Sequence, residues 1–360
     1  MTGVHLSIIH VTDCFLPRLG GIEVQVAGLA GAQALCGEEV HVVTATRLAA
    51  PGDGYSVHRI AVRAPWDLPV HPRAGSHLDR VIVPLAPSAV YVHVGAISPF
   101  AWSGVRSALR LGLPTVVVVH SMWDPVVQWC YRVLDRFAPW SSAPLTLAAV
   151  SRAAADRMRE AVPGISVGVV PNGITPSWWR GIPTQRQDDV VHVVSVGRLA
   201  ARKEPMALLK ALRAVRVDVP LRATLAGAGP EMAVLRRYVE RHGMGWVGLP
   251  GRLDRQGVGR LLAGADVFVN PAGQEAFGLA ALEARTAGVP VIARPRTGVA
   301  DFVRDGVEGL LTDDLAAGIT RLVVQREERF RIAEHNRATE PTHCTWPRVL
   351  EALRSCSARV

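Results

Sequence analysis

Short apolar runs alternate with amphipathic helical stretches along both halves of this chain, and that alternation restricts the fold more than any single motif does. Leu6–Val11, Val40–Thr44 and Thr115–Val119 read as strands, with a helix over Gly21–Ala34 between the first two. The pattern starts again with a strand at Val191–Val196, a helix at Pro205–Val215, a strand at Leu221–Ala226, a helix at Glu231–His242 and a strand at Asp266–Asn270. Strands that are apolar throughout, rather than on alternate residues, belong in parallel sheets covered by helices on both faces. The expected class is therefore α/β, with two Rossmann-like halves. At 360 residues the chain has room for two such cores. The alternation breaks over Ile174–Pro183 and the polar Gln185–Asp189, as a linker would. This divides the chain into a domain over 1–180, a second over 181–340 and a terminal helix within 341–360.

Composition removes several classes of function. No apolar run approaches the roughly 20 residues needed to span a bilayer, and Met1-Thr2-Gly3-Val4-His5 has no basic region leading into a long apolar core, so a cytoplasmic protein is expected. The five cysteines are scattered without a CxxC pair, which argues against a disulfide framework or a zinc site. The formal charge of +9 suits nucleotides, polyphosphates or an anionic membrane surface, yet nearly all of it is arginine, since Lys203 and Lys210 are the only lysines. No dense basic run or recognition motif points to nucleic acid.

The densest chemistry lies over Gln274–Ala284. Leu279–Thr286 reads as a helix closed by Gly288, followed by a strand over Val289–Ala293. A helix start presents free N–H groups and the positive end of the dipole, so the amides around Phe277, Gly278 and Leu279 can face a diphosphate, with Gly278 permitting close approach. Glu275 precedes that start and can accept hydrogen bonds from sugar hydroxyls; Glu283, about two turns on, can accept them from a ribose. Two solvated glutamates on a surface helix are the plain alternative. Gly197-Arg198-Leu199, with Lys203, follows the strand Val191–Val196; a forked guanidinium and a compact ammonium there can neutralise a leaving diphosphate.

The first half offers weaker signals. Gly20-Gly21 stands between the first strand and its helix and is either a tight turn or a loop that approaches a phosphate or sugar. His120 ends the strand Thr115–Val119, at the carboxyl edge where open α/β sheets place ligands, although a partly buried histidine bonded to backbone fits the same position. Trp123, Trp129, Tyr131 and Trp140, with Arg132 and Arg136 among them, suit an amphipathic helix buried in the core, a sugar platform or a membrane interface. Pro171-Asn172-Gly173 reads as a turn, and Gly227-Ala228-Gly229-Pro230 as a glycine loop that completes no dinucleotide fingerprint.

The spacing of Glu275 and Glu283, the Gly197-Arg198 and Lys203 pattern, the Gly227–Pro230 turn and the Pro171–Gly173 turn resemble, in order, the retaining nucleotide-sugar-dependent glycosyltransferases of family 4. The resemblance is strongest over Val191–Leu311. It implies the GT-B fold, two Rossmann-like domains facing across a cleft, with a terminal helix crossing back to the first domain. It places His120 by the donor sugar, Gly20 and Gly21 in the first domain's glycine loop, and Arg252 near the base or a phosphate, with a surface arginine as the alternative for Arg252. Two positions depart from the usual pattern: Ala272 stands where serine is common, and Asp301 where glutamate is common.

The implied activity is transfer of a sugar from a nucleoside-diphosphate sugar to an acceptor hydroxyl, with His120, Glu275, Arg198 and Lys203 as catalytic residues. Donor contacts fall to Gly20, Gly21, Gly197, Arg252, Phe277, Gly278, Leu279 and Glu283. No cofactor or metal is expected, and no Asp-x-Asp motif occurs. A lipid or cell-envelope glycan acceptor, with peripheral membrane contact, fits the charge and the tryptophans; a soluble metabolite fits equally. The alternatives are an epimerase or hydrolase of the same fold, and a catalytically silent binder of sugar nucleotides.

Overall fold

The computed structural model describes residues 7–48, 54–61, 71, 73–137, 139–183, 190–215 and 219–357. The chain divides into two compact units, Met1–Gly173 with His343–Val360, and Ile174–Thr342.

The first unit is built on seven parallel strands: β1 Ser7–Thr12, β2 Glu39–Thr44, β3 Ser56–Arg59, β4 Ala89–Val94, β5 Thr115–Val119, β6 Thr146–Ala149 and β7 Val167–Val169. Their order in the sheet is β3-β2-β1-β4-β5-β6-β7. β5, with the sequence TVVVV, is buried at every position, as a central parallel strand with stiff β-branched side chains should be. The helices are α1 Gly21–Leu35, α2 Ala74–Leu85, α3 Pro99–Arg110, α4 Pro125–Phe137 and α5 Arg152–Ala161. α3 opens with proline at its first turn, and the Ser151 hydroxyl caps α5 by accepting from Ala154 N–H. One sheet face is continuously apolar, from Ile9 and Val11 through Val90, Val92 and Val94 to Val117 and Val119, and is covered by Leu78, Ile82, Phe100 and Val105.

The second unit carries six parallel strands, β8 Val191–Val196, β9 Leu221–Ala226, β10 Val247–Gly251, β11 Val267–Val269, β12 Val291–Ala293 and β13 Gly309–Leu311, in the order β10-β9-β8-β11-β12-β13. Its helices are α6 Pro176–Arg180, α7 Pro205–Ala214, α8 Met232–Arg241, α9 Arg255–Ala263, α10 Leu279–Thr286, α11 Leu315–Val324 and α12 Arg326–Ala338. Leu208, Leu209, Leu212, Ile319 and Leu322 close its core. The last helix, α13 Trp346–Ser357, belongs to the first unit: Arg354 pairs with Glu38 at 2.8 Å, and Tyr91 Oη lies 2.9 Å from Ser357 Oγ.

Several expectations need correction. The change of unit falls between Gly173 and Ile174, ahead of the expected 180/181. The supposed linker Ile174–Pro183 holds a helix instead, because Pro176 starts α6 and the indole of Trp179 is buried; Trp178 lies under the Arg255 guanidinium, 4.3 Å from its ring centroid. Leu6 and Gln185–Asp189 lie outside the described residues, as does the Met1–His5 segment. The strands expected over Asp266–Asn270 and Val289–Ala293 are only Val267–Val269 and Val291–Ala293.

Candidate active site

In each unit the expected site residues follow the carboxyl ends of strands. The sheet order of the second unit reverses direction between β8 and β11, which makes that pair the topological switch point where open α/β sheets bind ligands. The loops after β8 and β11 carry the two charged groups that meet there. Lys203 Nζ donates to Glu275 Oε2 at 2.6 Å, and Asn270 Nδ2 lies 3.4 Å from the same oxygen. Glu275 Oε1 has no partner among the described residues. The Glu275 side chain is mostly buried while that of Lys203 is partly exposed, so the ammonium holds the carboxylate in place without removing itself from solvent.

The loop holding Glu275 is pinned from a second side. Glu204, in the left-handed region at φ 50°, accepts from Gly273 N–H through Oε1 at 2.8 Å and from Arg294 through Oε2 at 3.1 Å. Arg294 in turn donates to the Pro271 and Asp313 carbonyls, each at 3.0 Å. Nothing in the sequence flagged Glu204 or Arg294 as a pair, since they are 90 positions apart.

Gly278 is the residue before α10 and sits at φ 92°, where a Cβ would lie 2.6 Å from Val299 Cγ2. Phe277 is buried against Phe302, ring centroids 5.3 Å apart, so only its backbone is available to a ligand. The amides of Gly278 and Leu279, without an acceptor among the described residues, start an eight-residue helix. Gly197 and Arg198 are exposed after β8, and the Arg198 guanidinium has no partner among the described residues. The Gly227–Gly229 loop is zipped onto this turn: Leu199 N–H donates to the Ala228 carbonyl and Glu231 N–H to the Leu199 carbonyl, both at 3.0 Å. Side chains at Gly227 or Gly229 would collide with the Gly197 and Leu199 carbonyls. Arg252 follows β10, two strands from β8 on the same edge, and is exposed.

Glu283, expected to accept from a ribose, lies within α10. Burial raises its carboxyl from 4.5 to about 8, against the opposing pull of the nearby Arg255 charge, so at neutral pH it is a protonated acid that donates as well as accepts. The sequence shows the glutamate but not the burial.

In the first unit Gly20 precedes α1 in extended conformation and Gly21 is the first residue of that helix. His120 follows β5; its N–H donates to the Val94 carbonyl at 2.9 Å and its Nε2 lies 3.0 Å from His93 Nδ1. It lines a small pocket with His93, Asn172, Gly173 and Trp346. The Pro171–Gly173 turn is latched to α1, where the Gln25 amide bonds both the N–H and the carbonyl of Gly173, at 2.7 and 3.0 Å. Gly20 and Gly21 are not among that pocket's lining residues. Trp346 was missed because it arrives from the far end of the chain; its ring packs where a Cβ on Gly173 or Gly28 would collide with it. Of the aromatic group, Trp123, Tyr131 and Trp140 cluster, Trp123 and Tyr131 stacked at 4.2 Å, but Trp129 is 61% exposed.

Two family models meet this chain between residue 19 and residue 339. Residues 183–339 match the model for glycosyl transferases group 1, and residues 19–178 that for glycosyltransferase family 4. The chain belongs to the family 4 glycosyltransferases. This glycosyltransferase is 28% identical to D-inositol 3-phosphate glycosyltransferase of Paenarthrobacter aurescens, over 91% of this chain and 90% of that one. It is 26% identical to the GDP-mannose-dependent alpha-mannosyltransferase of Mycolicibacterium smegmatis, over 97% and 96% of the two chains. The crystal structure of HepE from Anabaena, in complex with UDP and glucose, superposes with a TM-score of 0.79 at 17% identity, covering 99% of this chain and all of that one, as expected of a shared GT-B fold. No helix among the described residues is long and apolar enough to cross a membrane.

Proposed function

We propose that this glycosyltransferase moves a sugar from a nucleoside-diphosphate sugar to an acceptor hydroxyl with retention of anomeric configuration, and that it does so without a metal ion. The observation that carries the reading is the Lys203–Glu275 contact at the β8/β11 switch point, with one carboxylate oxygen left open beside the start of α10. Glu275 Oε1 accepts from a hydroxyl of the sugar. Charge that develops on the departing diphosphate is met by Arg198, Lys203 and the amides of Gly278 and Leu279, which are oriented before the reaction begins. Glu283, as a neutral acid, bonds the nucleoside ribose. His120 in the first unit supports the transferred sugar.

A membrane-bound acceptor is favoured by α4. Val126, Trp129, Leu134 and Phe137 are exposed on that helix by 70, 61, 54 and 82%, and at 100° per residue they share one face, flanked by Arg136. An indole and an aliphatic stripe bordered by arginine, on a chain of charge +9, suits an anionic bilayer surface. The acceptor is accordingly read as a lipid or a lipid-linked glycan.

Release of nucleoside diphosphate from UDP-, GDP- and ADP-sugars in EDTA, with and without a membrane extract, tests the reading in wild type and Glu275→Ala. Acceptor-stimulated release from one donor, lost in the variant, supports it, and the anomeric configuration of the product decides retention. Release without acceptor would favour an epimerase or hydrolase, and binding without turnover a silent binder.

A further inference from the structure

The face of the first sheet that meets α1 departs from the apolar rule. His10 on β1 and His93 on β4 stand inside it, 0% and 2% exposed, where valine or isoleucine would serve stability better. Neighbouring strands β1, β4 and β5 bring these rings into line with His120, and α1 adds Gln33 at the far end. Gln33 Oε1 is 2.7 Å from His10 Nε2, His10 Nδ1 is 2.9 Å from His93 Nε2, and His93 Nδ1 is 3.0 Å from His120 Nε2. Burial holds all three imidazoles neutral, His10 and His120 at about 4 and His93 well below its ordinary value.

A neutral imidazole carries one N–H, so each link of such a chain dictates the next. With the amide oxygen of Gln33 facing it, His10 bears its proton on Nε2 and accepts at Nδ1. His93 must then donate from Nε2 and accept at Nδ1, and His120 must donate from Nε2. We propose that Gln33 is a positioning residue that, through His10 and His93, fixes His120 as the Nε2–H tautomer and so presents a bare Nδ1 to a substrate hydroxyl. His120 Nδ1 has no partner among the described residues. A carboxamide cannot take up the proton at the far end, so the chain is a tautomer lock and gives no proton exit. Turning the Gln33 amide round would reverse every link and leave His120 a donor.

This rests on the reading of His120 as a group that meets the sugar, and the experiment separates the two. Ring-15N histidine spectra of the full chain at neutral pH distinguish the tautomers directly, without turnover. The expected result is Nε2–H at His10, His93 and His120 in wild type. Gln33→Met removes the oxygen at nearly constant volume and should give a tautomer mixture at His120 with kcat lowered about tenfold and the donor KM unchanged. Gln33→Glu keeps an accepting oxygen and should restore both. An Nδ1–H or mixed His120 in wild type overturns the lock even if Gln33→Met fails to fold, as does an unchanged tautomer in that variant. Full activity in His120→Asn overturns instead the placement of His120 in the site, whatever the tautomer.

Discussion

Lys203 Nζ and Glu275 Oε2 are 2.6 Å apart, joining the loops after β8 and β11 by one charge-assisted bond. The pair is partly solvated, so it contributes little to stability, and under the proposed function its consequence lies in catalysis. Lys203→Ala frees the Glu275 carboxylate to move and, under that proposal, removes a cation from the leaving group. The expected loss is about 10²–10³-fold in kcat with Tm nearly unchanged. Lys203→Arg should recover little, because a planar fork does not reproduce a point charge at this distance. Steady-state kinetics with thermal melts on the two variants check both statements.

Glu283 predicts a pH dependence of stability. Its carboxyl titrates at about 8 in the fold and at 4.5 as an ordinary glutamate, so between those values the folded state holds a proton that the unfolded chain has released. Stability from this group is full below about 4.5, declines as pH rises and is lost by about 8. Glu283→Gln stays neutral throughout. Its Tm relative to wild type should therefore rise with pH, by about 3 °C or more once Glu283 has ionised in the fold. Equal Tm differences at acidic and alkaline pH would contradict this.

Glu308 has the opposite sign. Burial works to raise its carboxyl, but the Arg304 side chain and N–H, His335 and Arg285 overcome that and hold it at about 2. Its contribution is present above about 4.5 and is lost as pH falls toward 2. Glu308→Gln removes the carboxylate 3.6 Å from the buried Arg285 guanidinium, and should cost about 3 kcal/mol in urea unfolding at neutral pH.

Two glycines give contrasting outcomes. Gly278 sits at φ 92° with Val299 in the way of any Cβ, so Gly278→Ala should destabilise by about 2 kcal/mol and disturb the start of α10. Gly31 lies within α1, and among the described residues nothing stands within 4 Å of the place a methyl group would take, so it should gain about 0.5–1 kcal/mol as alanine. Denaturant midpoints of the two variants measure both.

The exposed face of α4 is tested on vesicles. Co-sedimentation with phosphatidylglycerol vesicles should fall at least about tenfold in a Trp129→Ser, Phe137→Ser double variant. Turnover of a water-soluble acceptor should be unchanged. Equal binding by the variant and wild type would exclude α4 as a membrane-binding face.

What the sequence alone determined was whatever depends on near neighbours. β5, β8, β9 and α10 have the boundaries read from hydrophobic runs, proline and glycine, because burial pattern and chain stiffness act within a few residues. The placing of Gly197, Arg198, Lys203 and Glu275 in loops after strands, and of Glu283 on a helix, followed for a similar reason: a strand end and a helix start define their own backbone geometry. Tertiary structure decided the rest. Strand order, which no local spacing encodes, aligned His10, His93 and His120 with Gln33, and returned Trp346 to the His120 pocket. It also set how far Glu283 was withdrawn from water, and so its protonation, because desolvation is the sum of everything packed around a group.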